Sequence, residues 1–201
     1  LSSPYDVCTN MGLDAGRSGA GAAFRRVGYK PLGEDRLFPS GTVEVGRQKI
    51  GVLRIGGFEP QGAPEICRSA LQVLSIPVDK PCDDRCQDAI LTWSYDRLTQ
   101  ALEERVRSLR AAGASVLLVD LTGNGGGTEW AEAAGRIVSP NPLTSSKRGY
   151  VRGPHWAQHW VNLGDRLRHA ATTAAPTDKA RLLAWAAQAD AAHADAGKPC
   201  A

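Results

Sequence analysis

The sequence lacks the uninterrupted run of roughly 18 apolar residues that a membrane-spanning helix needs, and it lacks the charged and then apolar regions of a signal peptide. It also lacks an excess of either charge, because 24 Lys and Arg face 21 Asp and Glu for a net charge of +3. Nucleic-acid binding usually requires a concentrated basic surface. These absences predict neither a membrane span nor a nucleic-acid partner. With 201 residues and 42% hydrophobic content, the chain can form one well-filled domain, or a domain with an appendage.

Cysteines are few and odd in number: Cys8, Cys67, Cys82, Cys86 and Cys200. An odd count leaves at least one cysteine outside any disulfide within the chain. Zinc would need four closely spaced ligands, and no histidine lies near the three central cysteines, so a structural disulfide is favoured over a metal site. We therefore predict one disulfide within Cys67, Cys82 and Cys86, no metal or other cofactor, and an exported protein.

The first 92 residues contain one clear structural pattern. Residues 1–41, rich in Gly, Ser and Arg, predict an irregular lead-in. Thr42–Val45 and Ile50–Ile55, with a turn between them, predict a β-hairpin whose second strand is central. Residues 59–92 hold four prolines and three cysteines, which favours an insertion outside the core.

A βαβ-like unit is predicted next. Apolar residues recur at spacings of four and three from Leu98 to Leu109, which indicates an amphipathic helix with Ser94 as its N-cap and Gly113 at its end. The continuous apolar run Val116–Leu121 is typical of a strand covered on both faces, so we expect a central strand flanked by helices. A strand, a helix and a second strand in this order predict a parallel pair.

The remaining third of the sequence is predicted to be helical. A helix over Thr128–Val138, with Thr128 as N-cap, is ended by Pro140 and Pro142. Residues 42–150 would then form the α/β core, and the Ala-rich residues 151–201 two or three helices divided near Pro176. Leu1 in place of Met, and an end just after Cys200, lead us to expect a processed or truncated chain.

The segment Asp120–Thr128 is the best candidate site. It follows a predicted parallel strand and precedes a helix, the edge of an α/β sheet where ligands bind. Glycine occupies four of the five positions from 123 to 127. Such a backbone admits positive φ and close approach, and its amides can point at an anion or a developing oxyanion.

Four interpretations of this loop compete. A Walker phosphate loop would need a lysine after Gly127, and a dinucleotide fingerprint would need a third glycine where Thr128 stands, so both are disfavoured. A purely structural turn between strand and helix stays open. An oxyanion hole is the favoured interpretation.

The run Val116–Gly127 resembles the tail-specific (C-terminal-processing) serine protease pattern of an apolar strand, Asp-Leu-Arg, one residue, Asn, one residue and Gly-Gly. Upstream, Ile50–Phe58 is similar to the opening strand of that family, and the helix between the two strands fits as well. The resemblance covers about residues 43–150. It implies a crotonase-like (ClpP/crotonase-type) α/β core and peptide-bond hydrolysis by a serine with a lysine as its base.

The resemblance also implies roles for the loop residues. Gly126 and Gly127, with Gly125 beside them, would donate backbone amides to the oxyanion. Asp120 and Asn124 would hold the shape of the loop through hydrogen bonds to its backbone. Thr122 is a departure, because the family usually has arginine at that position.

A nucleophile is not evident in the sequence. The family has its serine in a small-residue run after a further apolar strand, and nothing after residue 143 has that form. Ser145-Ser146-Lys147 lacks a preceding strand, and Gly16–Ala20 lacks the second glycine of G-x-S-x-G.

His155 and His159 have metal-ligand spacing, but their tryptophan neighbours and the absence of an interposed glutamate favour an aromatic surface. His169 and His193, in the Ala-rich helices, have no nearby partners in the sequence, and no role is predicted for them.

Two functions are therefore predicted. The first is a periplasmic or secreted serine peptidase that acts on polypeptides, in which this chain carries the oxyanion loop and a missing C-terminal segment supplies the serine and lysine. The alternative is a noncatalytic module of the same fold that binds a peptide or small anion.

Overall fold

The structure is a computed structural model that describes residues 6–13, 28–33, 37–61, 63–145 and 149–198. The chain divides into two compact units, Leu1–Ser145 and Ser146–Ala201. The first unit is mixed α/β and the second is helical. No helix among the described residues is long and apolar enough to cross a membrane.

The first unit is built on a four-stranded sheet in the order β1-β2-β3-β4. Its strands are Lys30–Pro31, Ser40–Val45, Gln48–Arg54 and Val116–Asp120. The first two pairs are antiparallel, and β3 and β4 are parallel, with Ile50 beside Val116 and Arg54 beside Asp120. The predicted hairpin and the parallel pair are both present. Gly46 at φ 60° forms the hairpin turn, a backbone conformation that glycine adopts without strain.

The connection from β3 to β4 is more helical than the sequence suggested. Residues 59–92, predicted to lie outside the core, contain α2 (Pro64–Val73) and the beginning of α3 (Asp84–Ala111). The N-cap of α3 is Asp83, whose side chain accepts a hydrogen bond from the Cys86 amide at 2.9 Å. Ser94 is not a cap, because it lies buried in the middle of this helix. Gly113 follows the helix at φ 88°, the terminating position predicted for it.

The prediction of a central β4 is wrong for the residues that the structure describes. β4 lies at the edge of the sheet, next to β3 alone. Leu117 and Val119 pack toward the core, whereas Val116 and Leu118 on the opposite face are 43% and 50% exposed. A continuous apolar run indicates that both faces of a strand are hydrophobic. It does not indicate which element of the protein covers each face.

One face of the sheet packs against α3. The helix buries Leu98, Leu102, Val106 and Leu109, the stripe predicted from their spacing. Further members of this cluster come from the sheet and from the segments beside it: Phe38, Leu53, Ile55, Ile66, Trp130 and Ala134. The core therefore extends along this face of the sheet and reaches, through Phe38, Phe58 and Trp130, the end at which β4 runs into its Gly-rich loop.

Two disulfides stabilise the region around α1 (Val7–Asn10) and the helical connection. Cys82 pairs with Cys86, which confirms a bond within the three central cysteines. Cys67 pairs instead with Cys8, 59 residues away, and this bond lies in a second buried cluster with Val7 and Leu13. Cys200 lies outside the described residues. Two disulfides are consistent with an extracellular or periplasmic location.

The predicted helix after the loop is α4 (Trp130–Val138), which begins two residues later than expected. The second unit consists of α5 (Pro154–Ala171) and α6 (Pro176–Ala196), as predicted from the break near Pro176. Within the described part of the lead-in, α1 and β1 are ordered elements, so residues 1–41 are not irregular throughout.

Candidate functional site

The Gly-rich loop leaves the carboxyl end of β4 and is attached at both ends to the segment that follows β3. At its beginning, the Ile55 amide donates to the Asp120 carbonyl at 3.1 Å. At its end, the Phe58 amide donates to the Gly126 carbonyl at 3.0 Å, and the Thr128 amide donates to the Phe58 carbonyl at 3.1 Å. Backbone hydrogen bonds to Ile55 and Phe58 therefore hold the loop at both of its ends.

Asp120 holds the entrance of the loop. Its Oδ1 accepts from the Thr122 amide at 2.9 Å, and its Oδ2 accepts from Arg54 Nη1 at 3.1 Å. The hydrogen bond from the Thr122 side chain is the largest cause that holds the pKa of Asp120 below its usual value. The Thr122 amide and the Arg54 guanidinium act in the same direction, whereas burial opposes them. Asp120 is thus an ionised structural anchor.

Arg54 is the site residue that sequence reasoning missed. Its side chain is only 10% exposed, and its Nε is buried without a hydrogen-bond partner among the described residues. A signal was present, since Arg54 is the one charged residue in the apolar run Ile50–Ile55, and a buried charge must find a counter-ion. Parallel pairing places Arg54 beside Asp120 at the ends of their strands.

Asn124 holds the middle of the loop with both ends of its amide group. Its Nδ2 donates to the Ile55 carbonyl at 3.0 Å, and its Oδ1 accepts from the Gly126 amide at 2.8 Å. The roles expected for Asp120 and Asn124, hydrogen bonding to the loop backbone, agree with these contacts. The same contacts show that the Gly126 amide is already occupied.

Gly127 is required by the close approach of the loop to Phe58. The two residues form an isolated parallel bridge, and Gly127 has φ 145°. A Cβ placed on Gly127 would lie 2.7 Å from the Phe58 carbonyl carbon, too close for any other residue without a shift of the backbone. Gly125 is different, because a Cβ there would meet no atom within 4 Å.

The three predicted amide donors are therefore unequal. In a parallel bridge, hydrogen bonds come from the residues on either side of the bridged residue, so the N–H of Gly127 turns away from Phe58. Among the described residues, the amides of Gly125 and Gly127 donate to no acceptor. Both glycines are exposed. Two of the three amides remain available to a ligand, and the third maintains the loop.

Thr128 connects the end of the loop to the core. Its hydroxyl donates to the Phe58 carbonyl at 2.9 Å and accepts from the Trp130 amide at 3.3 Å. The Trp130 indole donates to Thr99 Oγ1 on α3 at 2.9 Å. Thr128 thus satisfies a backbone amide at the beginning of α4, although it stands just before the N-cap position, Glu129.

The described residues contain no nucleophile with its base. No serine side chain among them is hydrogen-bonded to a lysine amine or an imidazole, and Ser145 instead contacts Arg136. Ser146, Lys147 and the segment Gly16–Ala20 lie outside the described residues. His155 and His159 are in ring contact with Trp156, and the described part of the chain contains no cluster of three metal-ligating side chains.

The comparisons with known proteins do not identify a relative. No family model, no curated protein and no solved structure matches the chain. Function must therefore be inferred from the residues of the loop and their contacts.

Proposed function

We propose that the chain belongs to a serine-type peptidase of the tail-specific kind, and that its Gly-rich loop supplies backbone amides to the oxyanion. The observation that carries the proposal is the outward amide of Gly127 at the end of a fixed loop. Gly125 is the second donor, and Gly126, although predicted as a donor, maintains the loop through Asn124. Donors fixed before the reaction stabilise a developing charge without reorganisation.

In this proposal, a serine and a lysine from outside residues 1–201 complete the site. The neutral lysine amine takes the proton of the serine hydroxyl as its oxygen attacks the peptide carbonyl carbon. Negative charge then develops on the carbonyl oxygen, where the Gly127 and Gly125 amides receive it. The substrate is a polypeptide. Two disulfides support a periplasmic or secreted enzyme.

The first test compares residues 1–201 with the complete gene product on an unstructured polypeptide substrate. We expect the 201-residue chain to show background activity, because an oxyanion site acts only on charge that a nucleophile has created. A serine-directed fluorophosphonate should label the complete product and not residues 1–201. Labelling at Ser145 or Ser146, with activity lost on Ser→Ala substitution, would show that the nucleophile lies within this chain.

A sharper test addresses the loop itself. In the complete product, Gly125→Ala should lower kcat/KM at least about tenfold, because a methyl group would stand on the open side of the loop that the substrate carbonyl approaches. The substitution does not strain the fold, since no atom lies within 4 Å of the added carbon. Gly149→Ala is the matched control, with equally open surroundings, and should leave kcat/KM unchanged. Equal activity of the two variants would refute the oxyanion role.

One observation favours a second function, a noncatalytic module that holds an extended peptide. The Asp120 carbonyl turns toward β3, so the alternating backbone groups of Leu117 and Val119 turn toward the exposed edge of β4. Such an edge can pair with an added strand. A complete gene product that binds peptides, but shows neither turnover nor fluorophosphonate labelling, would favour this function over the peptidase.

A further inference from the structure

A pocket in the helical unit combines aromatic rings with charged side chains. It lies between the segment just before α5, the first turns of α5 and the last turns of α6, and its volume is about 260 Å³. Three aromatic and two charged side chains line it: Tyr150, Trp156, Trp160, Arg152 and Asp195. Pockets for drug-sized ligands measure roughly 300–1,000 Å³, so this one suits a single small ring.

The three aromatic side chains form one wall of the pocket. The ring centroid of Tyr150 lies 4.2 Å from that of Trp156 and 5.3 Å from that of Trp160, and the two indoles are 5.9 Å apart. Tyr150 is inclined by 55° and 84° to the two indoles. Its ring therefore forms no parallel-walled slot with either indole, the arrangement that would stack a flat base on both sides.

Several polar groups of the pocket have no partner within the chain. Among the described residues, the Tyr150 hydroxyl and the indole N–H groups of Trp156 and Trp160 make no hydrogen bond. Asp195 uses only its Oδ1, which accepts from Lys198 Nζ at 2.6 Å, so its Oδ2 stays available. The pocket thus offers hydroxyl and N–H donors together with a carboxylate acceptor.

The charges around the pocket favour a neutral ligand. The hydrogen bond from Lys198 is the largest cause that holds the pKa of Asp195 below its usual value, and the charges of Lys198 and Arg152 act in the same direction. The Asp195 carboxylate is therefore ionised and already compensated. A cationic ligand would meet these two cations, and an anionic ligand would meet Asp195 and the negative faces of the rings.

We propose that this pocket binds a neutral sugar ring of the gluco type. In a pyranose with equatorial hydroxyls, the C–H bonds point to the two faces of the ring and the hydroxyls point to its rim. The C–H groups suit the negative faces of the aromatic wall. The hydroxyls can accept from the indole N–H groups and donate to Asp195 Oδ2. An apolar helix in the same place would leave these polar groups unsatisfied.

The test is an NMR titration of the complete 201-residue chain that follows the five tryptophan indole N–H signals. The probes are cellobiose, maltose and a disaccharide of N-acetylglucosamine. We expect saturable shifts at Trp156 and Trp160 with at least one probe, and a dissociation constant on the order of 1 mM, because one small ring makes few contacts. The signal of Trp185 should not move, since this residue lies outside the pocket.

Two variants of the aromatic wall sharpen the test. Trp156→Ala should raise the dissociation constant at least about tenfold, because it removes ring surface from the pocket. Trp185→Ala is the matched control: Trp185 is 47% exposed in the same hairpin and does not line the pocket, so the constant should not change. If Trp156→Ala loses helical structure by circular dichroism, Tyr150→Phe serves instead. It keeps the ring, removes only the hydroxyl, and should raise the constant about fivefold.

Three results would overturn the proposal. The first is the absence of any shift with the three disaccharides at about fifty times the expected dissociation constant. The second is binding that persists unchanged in Trp156→Ala and Tyr150→Phe, or that is lost equally in a folded Trp185→Ala. The third is binding of tetramethylammonium or adenosine at Trp156 and Trp160 without binding of a sugar, which would assign the pocket to a cation or to a flat base.

Discussion

The two units of the molecule place their large apolar side chains differently. The α/β unit surrounds residues such as Phe38, Leu53 and Leu98, each fully buried, and it contains two disulfides, one of which joins α1 to α2. The hairpin over residues 149–198 buries only glycine and alanine, and its tryptophans and leucines remain at least partly exposed. The first arrangement suits a loop that must keep its geometry. The second leaves a partly exposed apolar surface on the hairpin.

The largest expected effect comes from the long-range disulfide, which has no equivalent among the described residues of the hairpin. Substitution of Cys8 and Cys67 by serine should lower the free energy of unfolding of the α/β unit by about 4 kcal/mol, because the bond closes a long loop of the unfolded chain. Loss of the short Cys82–Cys86 bond should cost about 2 kcal/mol. Amide hydrogen exchange measures both losses of unfolding free energy, because it reports the stability of each unit separately. Equal losses for the two bonds would contradict this explanation.

The next effect compares one leucine from each unit. Leu98→Ala should cost about 3 kcal/mol of stability, since the fully buried side chain leaves a cavity between α3 and the sheet. Leu183→Ala, at a position 44% exposed in the hairpin, should cost less than about 1 kcal/mol. Urea denaturation followed by amide hydrogen exchange gives the free energy of unfolding of each unit separately. Similar costs for the two leucines would show that the units do not differ in packing.

A smaller effect is expected within the loop. Gly127→Ala should lower the stability of the α/β unit by about 2 kcal/mol, because the backbone must shift away from Phe58 and glycine alone readily adopts its φ. Gly125→Ala should be nearly neutral for stability. Thermal unfolding of the two variants measures the difference. A neutral Gly127→Ala would mean that the bridge to Phe58 is not required.

The smallest effect is the dependence of stability on pH that arises from Asp120. The pKa of Asp120 is lower in the folded chain than in the unfolded chain, where it is about 3.9. Asp120 therefore stabilises the fold at pH values above the unfolded-state pKa. This contribution is lost as the pH falls through the folded-state pKa. We expect the α/β unit to lose stability in that acidic range more steeply than an Asp120→Asn variant does. Hydrogen exchange measured over an acid titration gives the slope of stability against pH for the two proteins. Identical slopes for the two proteins would argue against the anchor role.

Local patterns predicted much of the fold. The hairpin of β2 and β3, the stripe of α3, the terminating Gly113 and the break before Pro176 all follow from periodicity and from backbone preferences that act over a few residues. Ser94 was misassigned because serine favours caps, although here it lies buried within a longer helix. The true cap, Asp83, belongs to a region whose prolines and cysteines obscured the beginning of α3.

Features that depend on distant parts of the chain could not be predicted in the same way. The edge position of β4 depends on which strands pair beside it, and the Cys8–Cys67 bond depends on the path of the chain over 59 residues. The hydrogen bonds that Asp120 accepts from the Thr122 amide and Asn124 from the Gly126 amide each span two residues and agree with expectation, whereas the contacts of the same side chains with Arg54 and Ile55 are long-range. The resemblance to tail-specific proteases and the oxyanion role of Gly125, Gly126 and Gly127 stay predictions that the enzymatic assays address.

The attachment of the Gly-rich loop to Phe58 has a consequence for the thermodynamics of binding. A loop fixed at Ile55 and at Phe58, and held between them by Asn124, has little conformational entropy left to lose when a ligand arrives. Calorimetric titration should therefore show a heat-capacity change that reflects buried ligand surface alone, without the additional contribution of a segment that folds on binding.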